Sequence, residues 1–176
     1  MAITSFNKFD NAALIANFAD IASNGYEFAV LRTDFDGNGV TLPSSGDWQR
    51  LSGFTEGDFI TSNAQIFSAT NGAIHMEQAN CNGYIVMAQI GGNWTAAGTS
   101  SILARVVVDG PTISGRVAFA KMARQTEAGF NLPLIGGGRG GNDNTITTGM
   151  DWAIEMSSNG QSGVNPQFYT LAVIVF

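Results

Sequence analysis

Phe168-Tyr-Thr-Leu-Ala-Val-Ile-Val-Phe176 decides the fold. Apart from Tyr169 and Thr170, every residue in it is apolar. A half-buried strand alternates apolar and polar side chains, whereas this one is apolar in both phases. Such a strand is covered on both faces, as central strands of packed sheets are. It is expected in the middle of a sheet or against a second subunit. Leu171, Val173, Val175 and Phe176 are the residues expected at that interface.

Outward from this strand, the chain breaks into short apolar runs separated by Gly, Asn, Asp and Ser turns. The runs predict strands at Glu27–Asp34, Trp48–Leu51, Ala64–Phe67, Ala73–Gln78, Tyr84–Ile90, Ile102–Asp109, Arg116–Arg124, Asp151–Ser157 and Phe168–Phe176, with a weaker one near Phe130–Ile135. In Arg116–Arg124, Val117, Phe119 and Lys121 share one face, and Ala118, Ala120 and Met122 share the other. Asn71-Gly72 and Asp109-Gly110-Pro111 are turn signals. The 22 glycines gather in turns, and Gly136–Asn144 forms the longest glycine-rich run, read as a surface loop. About eight to ten short strands of this kind indicate an all-β jelly-roll sandwich.

One segment has a different period. Asp10 or Asn11 can cap a helix, and Leu14, Ile15, Phe18, Ile21 and Ala22 then recur at helical spacing up to Asn24-Gly25. The chain therefore divides into an arm with one short N-terminal helix, residues 1–25, and a sandwich domain, residues 26–176. Leaving Leu14, Phe18 and Ile21 in water would forfeit ~1.5–3 kcal/mol each. Their stripe must pack on the chain's own sandwich or on a neighbouring protein, and they join the expected interface residues.

Charged residues make up 12% of the chain, against the roughly 25% usual in a soluble domain. Neutral polar groups must cover much of the surface, and part of it is expected to lie against partners. The net charge is −6, and the eight basic residues form no run, so no nucleic-acid footprint is present. No apolar run has the length of a membrane span, and the N-terminus shows no secretory leader. Cys81 is the single cysteine, which excludes an intrachain disulfide.

Chemistry-bearing patterns are sparse. Asp34-Phe-Asp36-Gly-Asn38-Gly39 resembles the first half of a calcium loop, but Ser45 stands where a bidentate Glu is needed. It reads as a turn, with a weak calcium site at Asp34 and Asp36 as the alternative; no other cofactor is expected. The run around Arg139 lacks the Gly-Lys-Ser/Thr ending of a phosphate loop. His75, the single histidine, lies inside a strand and reads as a surface residue rather than a catalytic base. Any two of the 14 acids could in principle meet, but nothing selects a pair, so no enzyme is expected. Trp94, in Gly91-Gly-Asn-Trp-Thr95, and Arg139, Asn142 and Asp143 form the candidate ligand loops, because exposed aromatic faces beside amides bind sugars.

Taken in order, Asn71-Gly-Ala-Ile-His-Met76, Asn82-Gly-Tyr-Ile-Val-Met-Ala-Gln-Ile90, Ile102-Leu-Ala-Arg-Val-Val-Val-Asp-Gly110, Gly149-Met-Asp-Trp-Ala-Ile-Glu-Met156 and Tyr169–Phe176 carry a resemblance. They resemble the trimeric jelly roll shared by tumour necrosis factor and the globular head of complement component one q. Two departures are Gly83 directly followed by Tyr84, and Met150 between Gly149 and Asp151. The resemblance implies a homotrimer with the last strand near the threefold axis and with binding surfaces rather than shared chemistry. Such jelly rolls also occur on bacteriophage virions. By that analogy the expected function is a capsid decoration (cement) protein, made in the host cytoplasm, that binds the major capsid protein or another virion protein. The alternative is the receptor-binding tip of a tail fibre that recognises host glycans.

Overall fold

A computed structural model describes residues 26–34, 40–52, 58–78, 83–94, 101–110, 115–123, 129–139, 148–160 and 163–176. The helix expected after Asp10, the arm 1–25 and Cys81 lie outside the described residues. Eleven strands are described: β1 Glu27–Asp34, β2 Gln49–Arg50, β3 Phe59–Thr61, β4 Phe67–Thr70, β5 Ala73–Met76, β6 Gly83–Trp94, β7 Ser101–Asp109, β8 Gly115–Ala123, β9 Gly129–Arg139, β10 Asp151–Ser157 and β11 Val164–Val175.

They form two antiparallel sheets. The first has the order β3-β1-β11-β6-β9, and the second β4-β5-β10-β7-β8, with β2 also paired to β10. Apart from the β4–β5 and β7–β8 hairpins, most strands adjacent in space are remote in sequence, as β11 is from β1 and β6 and β10 from β5, so the all-β jelly-roll sandwich expected from the sequence is the fold observed. β11 is the central strand of the first sheet, between β1 and β6, which accounts for its apolar character in both phases.

Period-two alternation sends Tyr169, Leu171, Val173 and Val175 of β11 inward, where they meet Trp152, Ile154 and Met156 of β10 and Ala104, Val106 and Val108 of β7. Trp152 is fully buried and packs edge-on against Tyr84 of β6, centroids 5.4 Å apart. Burial raises the pKa of the Tyr84 phenol above its ordinary value, because the phenolate would lose its hydration. The buried Tyr169 hydroxyl donates to the carbonyl of Gly72 across the sandwich, 3.0 Å. Gly72 closes the β4–β5 hairpin with Asn71. Both residues have positive φ, 49° at Asn71 and 74° at Gly72, the geometry that Asn-Gly favours in a two-residue turn.

Three sequence expectations shift. Ala64–Ile66 is a turn rather than the start of a strand. Asn63 builds that turn: its side-chain oxygen accepts from the Gln65 N–H at 3.0 Å, and its carbonyl accepts from the Ile66 and Phe67 N–H groups. Gly91–Trp94 is not an exposed loop but the last part of β6, and Gly136–Arg139 is the end of β9. At these glycines the requirement is close approach, not turning. A Cβ on Gly91 would lie 2.1 Å from the Phe168 ring, and one on Gly136 would lie 2.0 Å from the Val117 carbonyl oxygen of β8. β3, three residues at the sheet edge, went unseen because so short a run carries no period.

Candidate assembly face

The face of the first sheet turned away from the core is apolar, part of it buried within the chain and part exposed. Register builds it row by row. Ile60, Val30, Ala172, Met87 and Ile135 lie opposite one another across all five strands. The next row is Phe28, Ile174, Ile85 and Gly137. Phe28, Val30, Ala172 and Ile174 are buried and form a second hydrophobic cluster, with Ile60 and Met87 packed against it. Beyond them Ile135 is 76% exposed and Ile85 41%. At one end Phe176 stands exposed, met edge-on by the Tyr26 ring at 6.0 Å. Toward the other end the row Arg32, Thr170, Gln89 and Pro133 is polar, and Gln89 donates to Asn131 at 2.9 Å.

Of the large hydrophobic side chains exposed among the described residues, Tyr26, Ile85, Ile135, Phe168 and Phe176 belong to this sheet or its margin, and Phe119 alone to the other. Contiguous apolar patches with a polar rim mark association surfaces, whereas scattered ones do not. Each large side chain left in water here forgoes ~1.5–3 kcal/mol of burial.

Leu171, Val173 and Val175, expected at an interface, are instead inter-sheet core residues and cannot reach a partner. Their alternates Ala172 and Ile174 lie on the outer face, and Phe176 is exposed beside them. The outer-face residues that the sequence reading left out are Ile60, Ile85, Met87 and Ile135, with Phe28 and Val30 buried beside them; the apolar alternates of β1 and β6 were the signal that could have found them. Leu14, Phe18 and Ile21 lie outside the described residues.

The candidate ligand loops do not converge. Trp94 ends β6 and Arg139 ends β9; Gly83, at the start of β6, is the partner of Arg139. Trp94 and Arg139 therefore sit at opposite ends of the paired strands, roughly 35 Å apart along them at ~3.3 Å per residue. Asn142 and Asp143 lie outside the described residues. Asp34 closes β1 opposite Phe168, and Asp36 lies outside. Among the described residues no three His, Cys, Asp or Glu side chains gather as a metal site would require. His75 is a strand residue of the second sheet, its Nδ1 2.6 Å from the Asp151 carboxylate.

No protein-family model and no curated protein matches the sequence. Solved structures do match. The crystal structure of murine APRIL at pH 5.0 superposes with a TM-score of 0.54 at 10% identity, covering 85% of this chain and 99% of that one. The fold is a tumour necrosis factor-like jelly roll. A second murine APRIL structure, at pH 8.5, aligns over the same share with a TM-score of 0.49. At 10% identity the similarity concerns the fold, and the outer faces of this chain must be read from its own side chains.

Proposed function

We propose that this chain is a homotrimeric binding protein, closed by the outer face of the first sheet, with a structural role on a bacteriophage virion. The observation that carries the assembly is the exposure of Ile85, Ile135 and Phe176 on the margin of the apolar row that runs across the five strands. Threefold closure follows the trimeric jelly roll that the sequence resembles, with β11 and Phe176 near the axis. A closed ring would cover the exposed apolar side chains and leave no edge for further growth. The low charge of the chain, 12%, supports a surface partly hidden against partners.

As a decoration protein the trimer would work through area, its contacts multiplied by symmetry against the shell. The tail-fibre tip shares the trimer and differs in the partner. Light scattering over a range of concentrations tests the assembly: about three times 18.5 kDa is expected, and a monomer at every concentration overturns it. Co-sedimentation with shells of the accompanying major capsid protein tests the partner. Saturable binding supports decoration, and none at micromolar trimer removes it.

A further inference from the structure

The outer face of the second sheet carries a groove of about 210 Å³ that the assembly face leaves untouched. Its floor and walls follow from register. Ala153 of β10 lies opposite Val107 of β7, and Val107 opposite Arg116 of β8, so two short side chains make a low row that ends in a guanidinium. A register shift between Val106 and Val107 brings Arg116 onto this face. The row on one side is Arg50, Glu155, Arg105 and Phe119. The row on the other is His75, Asp151 and Asp109.

The charges in the groove are unequally satisfied. Arg105 is held by Glu155, with Nε and one Nη each 2.6 Å from the same oxygen, and stacks on Trp48 at 4.1 Å. Trp48 in turn meets the Phe119 ring edge-on at 6.4 Å, so this wall is braced. Arg50 stands 3.8 Å from Asp151, beyond hydrogen-bond length, and its buried Nε–H has no acceptor. Arg116 faces only the Phe119 ring, at 4.9 Å, with no carboxylate in ion-pair range among the described residues. A guanidinium offers five donors, so two of the three arginines in the groove keep donors to spare.

We propose that this groove binds a carboxylate-bearing sugar, a sialate or uronate unit of a glycan. Arg116 takes the carboxylate in a bidentate pair. The ring lies over Val107 and Ala153, and Asp109 and Glu155 accept from its hydroxyls. The acids select this class. A dianionic sulfate or phosphate would meet Asp109 and Glu155 as like charges, whereas a singly charged polyhydroxyl ring uses both walls. The volume is below the ~300–1,000 Å³ of drug-sized sites and suits about one ring. The groove and the assembly face lie on opposite sheets, so either can fail without the other.

Saturation-transfer difference NMR on the full chain tests this, with the methyl glycoside of N-acetylneuraminic acid and methyl glucuronide as probes. Methyl glucoside, inorganic sulfate and glycine serve as competitors or controls. Transfer to at least one acidic sugar at millimolar concentration is expected, with methyl glucoside weaker by on the order of tenfold, the loss of one charged hydrogen-bond pair. Arg116→Gln removes the anchor, and Val107→Phe fills the floor without changing charge. Both should abolish transfer while thermal melting and native mass stay unchanged. No transfer to either acidic sugar, equal transfer in both variants, or displacement by sulfate or glycine in preference to the sugars would each overturn the proposal.

Discussion

The two sheets share one core and present opposite chemistry outward. The first sheet turns rows of Ile, Val, Met, Ala and Phe away from the core. The second turns Arg, Asp, Glu and His away from it. The inward faces are alike, both apolar and both buried. Fold and core therefore say little about what the molecule does, and the difference between the outward faces says most. An apolar outer sheet lowers free energy only when it is covered; a sheet laced with ion pairs is stable in water and free to meet a ligand.

The strongest way to break this comparison is to place charge on the apolar side. Ile85→Asp and Ile135→Asp should each turn the proposed trimer into monomers, a threefold fall in native mass by light scattering, because an unpaired carboxylate would enter a dry interface. On a monomer Ile135→Asp would be almost silent, since surface changes lie within ~0.5 kcal/mol. Within the shared core, Leu171→Ala should cost ~2–5 kcal/mol in urea unfolding, with cavity and transfer losses combined. A stability change under 1 kcal/mol would mean that Leu171 does not face the core. Gly136→Ala should cost ~1–3 kcal/mol, because the new Cβ meets backbone and not a side chain that could turn aside.

On the charged side the effects shrink. Arg105→Ala should cost only about 0.5–1 kcal/mol, less at high salt, for a partly exposed pair with a stacked ring. The smallest effect belongs to the phenol at the core. The folded-state pKa of Tyr84 is raised, so its contribution is fully present below the unfolded value near 10 and is lost as pH rises through the folded value. Melting curves of the parent chain should decline above pH 10, and Tyr84→Phe should flatten part of that decline.

Much of the fold was legible because β11, β7 and β10 announce themselves by composition. The assembly face was legible only in part, for a physical reason. A strand apolar in both phases gives no signal for which phase faces the core, so the sequence alone does not tell Leu171, Val173 and Val175, which lie inside, from Ala172 and Ile174, which lie on the outer face. Glycine misled at Gly91 and Gly136 because the same residue serves turns and close approach, and only the packed partner, Phe168 or Val117, tells them apart. The groove was invisible. Arg50, Arg105 and Arg116 are isolated in sequence, and cross-strand register alone brings them together with Glu155 and Asp109.

The position of β11 also sets the tempo of folding. Its pairing with β1 joins Glu27 to Val175, nearly the full described length apart, and its other neighbour, β6, is no local hairpin partner either. Loop closure must be accepted before either ladder returns any hydrogen bonds, and proteins dominated by such pairings fold in milliseconds to seconds. During that interval β1 and β6 expose unpaired edges beside the apolar side chains of the first sheet's outer face. The search for the right partner strand and the hazard of a wrong one thus occupy the same stretch of time. Dilute refolding should be the condition that favours the native chain.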